Sequence, residues 1–275
     1  MGFVTRLGIA ILALGMSFEV LAQESGRELD MFVGSWKQDR SRGVVPPTFR
    51  YPLRFQLDKS GGLEEHRGPD ENTTTQPVRF DGTSQSLAGG STSTWKQIDD
   101  RTFEQVRTRS GTVIRTRRLM ISTEGKALTE EVSDFDTSDG SPMRMKAVYR
   151  RDSAVEPGLA GRWEPVSMEG DPLNMRIERS GPNTLRFSAT YGPAYELTLD
   201  GKPRQAHGSA TPALQATTTS ARLLSDGSLD MRTFRNNSET VRDVSVVSAD
   251  GKTLTSTVTN LATGAPAAVF VFVKQ

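Results

Sequence analysis

The strongest constraint on the fold is that most of the sequence consists of two similar repeats. Gly-Ser-Trp at 34–36 recurs as Gly-Arg-Trp at 161–163, and the segment 122–129 recurs as 248–255 with the same Gly-Lys pair in its middle. The two offsets, 127 and 126 residues, differ by one. A repeat longer than about 100 residues is a whole domain and not a solenoid unit. The sequence therefore predicts two domains of one fold.

The first 22 residues have the features of a secretory signal peptide, namely Arg6, the apolar stretch 7–16 and the small residue Ala22. The apolar stretch is shorter than the roughly 20 residues that a membrane-spanning helix needs. We therefore expect cleavage after Ala22, a periplasmic or secreted protein, and no transmembrane segment in the mature chain. The predicted divisions are a signal peptide at 1–22, a first β-barrel repeat at 23–151, a linker at 152–158 and a second β-barrel repeat at 159–275.

The composition excludes several kinds of site. The chain has no cysteine, which removes disulfides, thiolate nucleophiles and cysteine-bound metals. Its formal net charge is +1 at pH 7, which provides no basic surface for nucleic acid. We therefore expect each domain to depend on its hydrophobic core, and we expect neither a nucleic-acid partner nor a cofactor.

Alternating apolar and polar residues dominate both repeats. The segments 53–57, 143–149 and 173–177 place an apolar side chain at every second position, which is typical of antiparallel strands with one buried face. Dipeptides such as Asp-Gly and Ser-Gly separate these segments and indicate hairpin turns. About nine such segments per repeat predict an all-β chain of two tandem antiparallel meander β-barrels, because closure removes exposed sheet edges.

A short helix is expected before the first strand. Ser25 and Glu28 have the spacing of a capping box, and Leu29, Met31 and Phe32 would then pack inward. Leu159 holds the corresponding place before the second Gly-x-Trp motif.

The Gly-x-Trp motif that opens each meander after a helical lead-in resembles the calycin group, which comprises the lipocalins and the fatty-acid-binding proteins. Both halves are also similar to a broad set of uncharacterised secreted bacterial proteins with an early G-x-W and a late S-x-D-G-K-x-L-T hairpin. The resemblance covers nearly all of 27–151 and 159–275. It implies a barrel that either is filled by its own side chains or encloses a small ligand.

The same resemblance implies roles for two tryptophans. In calycins the tryptophan plugs the base of the barrel, and a basic residue of the last strand stacks on it. Trp36 and Trp163 would be these structural plugs, with Lys274 and one of Arg150 and Arg151 at the place of the stacking partner. The chain lacks the Arg-x-Tyr motif of fatty-acid-binding proteins, so their carboxylate binding does not carry over.

The hairpin through Ser110-Gly111 is rich in arginine. Pairing across a two-residue turn would place Arg107 opposite Ile114 and Glu104 opposite Arg117. Arg107 and Arg118 would then point into a mostly apolar barrel and pair with a bound carboxylate. The alternative is that both lie near the open end, in water or paired to neighbours such as Glu104, because arginine is rarely fully buried.

These observations favour non-catalytic binding of a small apolar or amphipathic ligand in one or both barrels. The expected pocket residues are Arg107, Arg118, Met145 and Tyr149. The alternative is a structural or interaction protein of the cell envelope, with filled barrels and an envelope protein as its partner. A third hypothesis is an unidentified hydrolase or isomerase.

The sequence offers little support for catalysis or for a metal site. His66 and His207 do not occupy equivalent positions, no Gly-x-Ser-x-Gly is present, and both histidines are expected in surface loops. Three aspartates between 134 and 139 could bind a hard cation, but their spacing does not fit an EF-hand. A solvated hairpin tip is the preferred interpretation of that segment.

Overall fold

The structure is a computed structural model, and a defined part of the chain is described. The described residues are 29–67, 74–87, 90–137, 141–152, 158–190, 194–205, 217–235, 237–261 and 264–275, without the side chains of 67 and 74. The predicted signal peptide, most of the predicted linker and His207 lie outside these residues. No helix within them is long and apolar enough to cross a membrane.

Nineteen strands form in the described residues. The strands up to the middle of the chain are β1 (Gly34–Gln38), β2 (Leu53–Leu57), β3 (Leu63–Arg67), β4 (Thr74–Val78), β5 (Asp81–Ser86), β6 (Ser91–Asp99), β7 (Thr102–Arg109), β8 (Thr112–Ile121), β9 (Ala127–Asp134) and β10 (Met143–Arg151). The others are β11 (Gly161–Gly170), β12 (Asn174–Gly181), β13 (Thr184–Ala189), β14 (Tyr195–Thr198), β15 (Thr217–Leu223), β16 (Leu229–Arg235), β17 (Ser238–Val247), β18 (Thr253–Asn260) and β19 (Ala268–Lys274). A 3-10 turn, Pro47–Phe49, lies between β1 and β2.

These strands form two antiparallel sheets, which confirms the predicted all-β fold with two tandem, nearly closed barrels. In the described residues one sheet has ten strands in the order β4-β3-β2-β11-β10-β9-β8-β7-β6-β5. The other has nine strands in the order β14-β13-β12-β1-β19-β18-β17-β16-β15. We call the first of these sheets the first barrel and the other the second barrel.

Each barrel contains the opening strand of the other repeat. β1, from the first repeat, pairs with β12 and β19 of the second barrel, and Trp36 lies opposite both Met175 and Lys274. β11, from the second repeat, pairs with β2 and β10 of the first barrel, and Trp163 lies opposite Leu53 and Arg151. The repeats of the sequence are therefore not the same units as the sheets, and the bounds 23–151 and 159–275 stay predictions about the duplication.

Within each sheet, the two edge strands approach each other. In the second barrel, Asp200 pairs with Arg222 and Arg204 pairs with Thr219, which links the segment after β14 to β15. In the first barrel, the amide of Gln85 on β5, oriented to satisfy both of its groups, donates to the carbonyl of Pro77 at 2.7 Å. Such contacts reduce the number of unpaired backbone groups at the edges, which would otherwise favour aggregation.

The two tryptophans of the Gly-x-Trp motifs lie in opposite cores. Trp36 is buried with Phe32 and Ile177 in the second barrel, and Trp163 is buried with Leu159 and other residues of the first barrel. The indole N–H of Trp36 donates to the carbonyl of Phe32 at 2.8 Å, and that of Trp163 donates to Leu159 at 2.9 Å. Both indoles are thereby fixed to the segment that precedes their strand.

A basic side chain covers each of these rings. The guanidinium of Arg151 lies 4.0 Å from the ring centroid of Trp163, whereas Arg150 is exposed. The ammonium of Lys274 lies 5.1 Å from that of Trp36. A Cβ atom on Gly34 would come within 2.6 Å of the Lys274 side chain, so the glycine of the motif leaves the space that the lysine occupies.

The helix before β1 spans residues 29–32 in the described part of the chain. Leu29 and Phe32 are buried, as the sequence predicts. The prediction for Met31 is wrong, because 36% of its surface is exposed on the opposite side of the helical turn.

Candidate functional site

The β7–β8 hairpin does not have the register that a straight two-residue turn would produce. Arg109 pairs with Thr112 as expected, but Arg107 pairs with Arg115 and Glu104 with Arg118. One extra residue is therefore accommodated in β8 beside the turn. Such a bulge moves every later residue of the strand to the opposite face.

This register separates the two arginines of the predicted site. Arg107 is on the inner face of the first barrel, where the sequence predicts it. The prediction for Arg118 is wrong: half of its side chain is exposed on the outer face, and its guanidinium lies 3.9 Å from Glu104. Arg118 therefore pairs with Glu104, as the alternative prediction for this residue states.

Arg117 takes the inner position instead, and sequence reasoning missed it. Only 1% of its side chain is exposed. Its Nη1 donates to Glu65 at 2.8 Å and its Nε donates to Glu130 at 2.5 Å, so one guanidinium joins two buried carboxylates. The guanidinium carbon lies 5.5 Å from the ring centroid of Trp95, which is also buried. Buried charges are tolerated when they are paired and hydrogen-bonded in this way.

The network continues to both sides of Arg117. On one side the hydroxyl of Tyr149 donates to Glu130 at 2.7 Å, and Arg50 donates to the same oxygen at 3.1 Å. On the other side the amide of Gln76 donates to Glu65, and Arg107 donates to the oxygen of that amide at 2.9 Å. Tyr149 is completely buried below this network.

Asp134 belongs to the same interior. Its carboxylate accepts a hydrogen bond from Nε of Arg115 at 3.0 Å, and it is buried. The prediction of a solvated tip is therefore wrong for Asp134, whereas Asp136 is exposed and pairs with Arg109 at 2.7 Å. Asp139 lies outside the described residues. In the part of the chain that is described, no three histidine or carboxylate side chains are grouped as a metal site would require.

A cavity of about 100 Å³ lies in this polar interior. The lining side chains include Arg50, Arg107, Arg115, Arg117 and Met145. The structure thus brings Arg107 and Met145 of the predicted site to one cavity, with Tyr149 beneath it and Arg118 on the outside.

The second barrel has different residues at the corresponding inner positions. Asp243 and Ser256 follow Arg117 and Glu130 by 126 residues, and each pair has the same place in its hairpin. The change replaces a buried ion pair by one acid and one hydroxyl. The duplicated barrels therefore share a backbone pattern and differ in the chemistry of their interiors.

A cavity of about 170 Å³ lies in the second barrel. Its wall is mostly apolar and includes Met175, Phe187, Leu229, Met231 and Phe270. The rings of Phe187 and Tyr195 stack with their centroids 5.3 Å apart.

Asp243 is the acid in the wall of this cavity. Its Oδ1 accepts hydrogen bonds from Ser256 at 2.7 Å and from Ser245 at 3.1 Å. Burial raises the pKa of Asp243, and the two serine hydrogen bonds offset this in part. Burial, together with the charge of Asp243, raises the pKa of Tyr195 to about 12. Such a carboxyl inside an apolar pocket is typical of binding sites and uncommon in a purely structural core.

His66 does not contribute to either cavity. It lies on β3, so the predicted surface loop is wrong for this residue, and it faces away from Glu65 on the outside of the barrel. Its Nε2 is 3.5 Å from Glu64 and its Nδ1 is 3.1 Å from the hydroxyl of Thr75.

The comparisons with known proteins add no family. No protein-family model matches the chain, and no curated protein is significantly similar to it.

Proposed function

We propose that the protein binds a small amphipathic ligand in the second barrel and does not transform it. The observation that supports this function is the cavity of about 170 Å³, whose wall is apolar apart from Asp243 and a few hydroxyl groups. An apolar pocket with few polar groups, one of which has a shifted pKa, is the usual form of a small-molecule site.

The volume restricts the ligand. An apolar cavity of about 150 Å³ in another protein is large enough to bind benzene. A ligand with a single aromatic ring, or a short branched alkyl chain, therefore fits the second barrel. The long chain of a fatty acid does not.

Asp243 determines the polar end of the ligand. Both of its hydrogen bonds within the described residues go to Oδ1, which leaves Oδ2 available to the cavity. A protonated amine would supply the hydrogen bond and the opposite charge that this carboxyl lacks. A carboxylate ligand would be repelled. We therefore propose a small aromatic or branched aliphatic amine.

The resemblance to calycins supports placing the protein among small-ligand carriers of that type. The tryptophan with a basic side chain over its ring, present in both barrels, agrees with it. We also propose a periplasmic or secreted location, which depends on the signal peptide predicted at 1–22.

Calorimetry tests the proposal. Three compounds that share one aromatic ring, benzylamine, benzyl alcohol and toluene, are each titrated into residues 23–275. We expect benzylamine to bind most tightly, because its hydrogen bond to Asp243 is charge-assisted. Asp243→Asn should weaken benzylamine about tenfold or more and leave toluene unchanged, since a hydrogen bond to a charged group contributes at least about 1.5 kcal/mol.

Two further variants locate the site. Met231→Trp should fill the cavity and abolish binding of all three compounds, whereas Val246→Trp, on the outer face of β17, should bind them as the wild type does. Failure of all three compounds to bind would overturn the proposal and favour the alternative, an envelope interaction protein with filled barrels. Equal binding by Met231→Trp would also overturn it.

A further inference from the structure

We infer that residues 45–52, which lie between β1 and β2, form a gate over the cavity of the second barrel, and that Arg50 holds this gate closed through the first barrel. We call residues 45–52 the gate segment. The inference rests on the proposed function in one respect, namely that the cavity of the second barrel takes up a ligand. It adds the route by which the ligand enters and the residue that controls the rate of entry.

The gate segment contacts the end of the second barrel that lies opposite the Trp36 plug. β18 begins at the plugged end and ends at Asn260, at the other end of the barrel. Its inward positions in the cavity wall are Leu254, Ser256 and Val258. Asn260 is the next inward residue and is buried. The hydroxyl of Tyr51 lies 3.3 Å from the side-chain nitrogen of Asn260 and 3.4 Å from its side-chain oxygen, so Tyr51 covers the barrel directly beyond the cavity.

A second contact covers the same end of the barrel. The rings of Phe49 and Phe270 meet edge to face, with their centroids 6.2 Å apart and an angle of 70° between their planes. Phe270 is part of the cavity wall, so Phe49 adds apolar surface outside that wall. Movement of the gate segment away from the barrel would therefore uncover the wall beside Phe270.

Few backbone bonds hold the gate segment in place. In the part of the chain that is described, its backbone N–H groups donate only within the segment, to the carbonyls of Pro46 and Pro47. The preceding residue is fixed, because Val44 exchanges two backbone hydrogen bonds with Val269. Pro46, Pro47 and Pro52 lack N–H groups and restrict the backbone. A stiff segment beside a fixed residue can move as a unit, as the lids of binding sites do.

Arg50 ties the gate segment to the first barrel. Its backbone is extended, with φ −84° and ψ 144°, so its side chain points to the side opposite those of Phe49 and Tyr51. Its Nη2 donates to Glu130 at 3.1 Å, and its guanidinium carbon lies 5.8 Å from the ring centroid of Tyr149. Glu130 is completely buried, and hydrogen bonds between charged groups are stronger than neutral ones. Loss of the bond between Arg50 and Glu130 should therefore free the segment more than loss of the contact between Tyr51 and the second barrel.

Thiol labelling tests the gate without any ligand. The chain has no cysteine, so Val258→Cys places a single thiol in the cavity wall. The rate at which iodoacetamide labels this thiol in residues 23–275 measures access to the cavity. We expect it to be much lower than the rate for Val246→Cys, on the exposed outer face of β17. Equal rates would mean that the cavity stands open and would overturn the gate.

Variants in the Val258→Cys background identify the residue that holds the gate. Arg50→Gln should raise the labelling rate at least about tenfold, because a hydrogen bond to a buried charge is lost. Tyr51→Phe should raise it about two- to tenfold, because only neutral hydrogen bonds are lost, and it leaves the first barrel intact. Arg40→Gln is the matched control and should leave the rate unchanged, since Arg40 lies outside the gate segment and bonds to the carbonyl of Gly170.

A thiol elsewhere in the second barrel distinguishes gate movement from unfolding. Ala221 belongs to the apolar core of that barrel and is buried away from the described cavity wall. Arg50→Gln should therefore leave the labelling rate of Ala221→Cys unchanged. An equal rise at Ala221→Cys, or an equal rise with Arg40→Gln, would overturn the gate. An unchanged rate at Val258→Cys with both Arg50→Gln and Tyr51→Phe would also overturn it.

Benzylamine separates the gate from the proposed function. NMR line shapes give the rates at which benzylamine enters and leaves the cavity. Arg50→Gln should raise both rates by the same factor and leave the dissociation constant nearly unchanged, because both directions pass through the open gate. A changed dissociation constant with unchanged rates would overturn the gate. If benzylamine binds to none of the variants, the proposed function fails, whereas faster labelling with Arg50→Gln would still support the gate.

Discussion

Lys274 covers the indole ring of Trp36, with its ammonium 5.1 Å from the ring centroid, although Trp36 opens the first repeat and Lys274 closes the second. The equivalent pair, Arg151 and Trp163, also joins the end of one repeat to the beginning of the other. Both contacts follow from the exchange of β1 and β11 between the barrels. Each barrel therefore depends on a strand from the other repeat.

Removal of Trp36 should damage the second barrel rather than the first. We expect Trp36→Ala to lower the free energy of unfolding by about 3–5 kcal/mol, because a large buried side chain is lost. NMR methyl signals of Ile177 and Leu185 should shift, and those of Leu119 and Leu128 should shift little. Trp163→Ala is the matched control and should give the opposite pattern. Larger shifts in the first barrel on loss of Trp36 would contradict the strand exchange.

Cleavage between the repeats should not separate them. A protease site that replaces residues 153–157 would cut the chain into halves that each lack one strand of their own sheet. We expect the halves to elute together in gel filtration under native conditions and to separate in urea. Two independent peaks without denaturant would mean that each opening strand had returned to its own repeat.

Asp243 should reduce the stability of the ligand-free protein at neutral pH. Burial raises its pKa, so the carboxyl in the unfolded chain, with a pKa near 3.9, loses its proton first as the pH rises. Stability falls from about pH 4 up to the raised pKa and stays lower above it. Asp243→Asn should therefore be more stable than wild type at pH 7, by about 1.4 kcal/mol for each unit of pKa difference.

The gain in stability of Asp243→Asn should disappear below about pH 4. Urea unfolding at several pH values measures this gain. Asp226→Asn provides the contrast, because hydrogen bonds from Ser228 lower the pKa of this exposed turn residue. Its effect on stability should have the opposite sign. A less stable Asp243→Asn at pH 7 would show that the carboxyl is a structural group.

Asp230 should stabilise the outer face of the second barrel. Burial raises its pKa, but hydrogen bonds and charges from Arg242 and Arg232 outweigh burial and lower it. The contribution is thus fully present above the unfolded pKa near 3.9 and is lost as the pH falls through the lower folded pKa. We expect Asp230→Asn to cost about 1–3 kcal/mol at pH 7. The difference should vanish in acid, whereas Glu104→Gln, at an exposed pair, should change little at any pH.

The alternation of residues and the glycine turns were sufficient to predict the all-β fold and its meander. They could not predict the exchange of β1 and β11. Both opening strands carry the same Gly-x-Trp pattern, so the sequence pattern does not specify which sheet each strand joins. The choice depends on contacts across the whole molecule, such as that between Gly34 and Lys274.

The candidate site was predicted only in part, and the cause is a local feature of the backbone. The bulge in β8 shifts the register by one residue, which places Arg117 inside and Arg118 outside. A signal was nevertheless present, because Arg117 has the same two-residue phase as the buried Leu119 and Ile121. Asp243 is similarly in phase with Val247. A charged residue in phase with buried neighbours lines each of the two cavities, whereas the turn alone predicted the wrong arginine.

The strand exchange also bears on how the two halves diverged. Before the duplication, two copies of a single repeat could have exchanged their opening strands only as separate chains. Fusion of the two copies made this strand exchange intramolecular and thus nearly independent of protein concentration. Each repeat supplies the opening strand of the other barrel, and both of these strands carry Gly-x-Trp. The strand exchange does not constrain the side chains inside each barrel. At one inner position the first repeat has Arg117 and the second has Asp243.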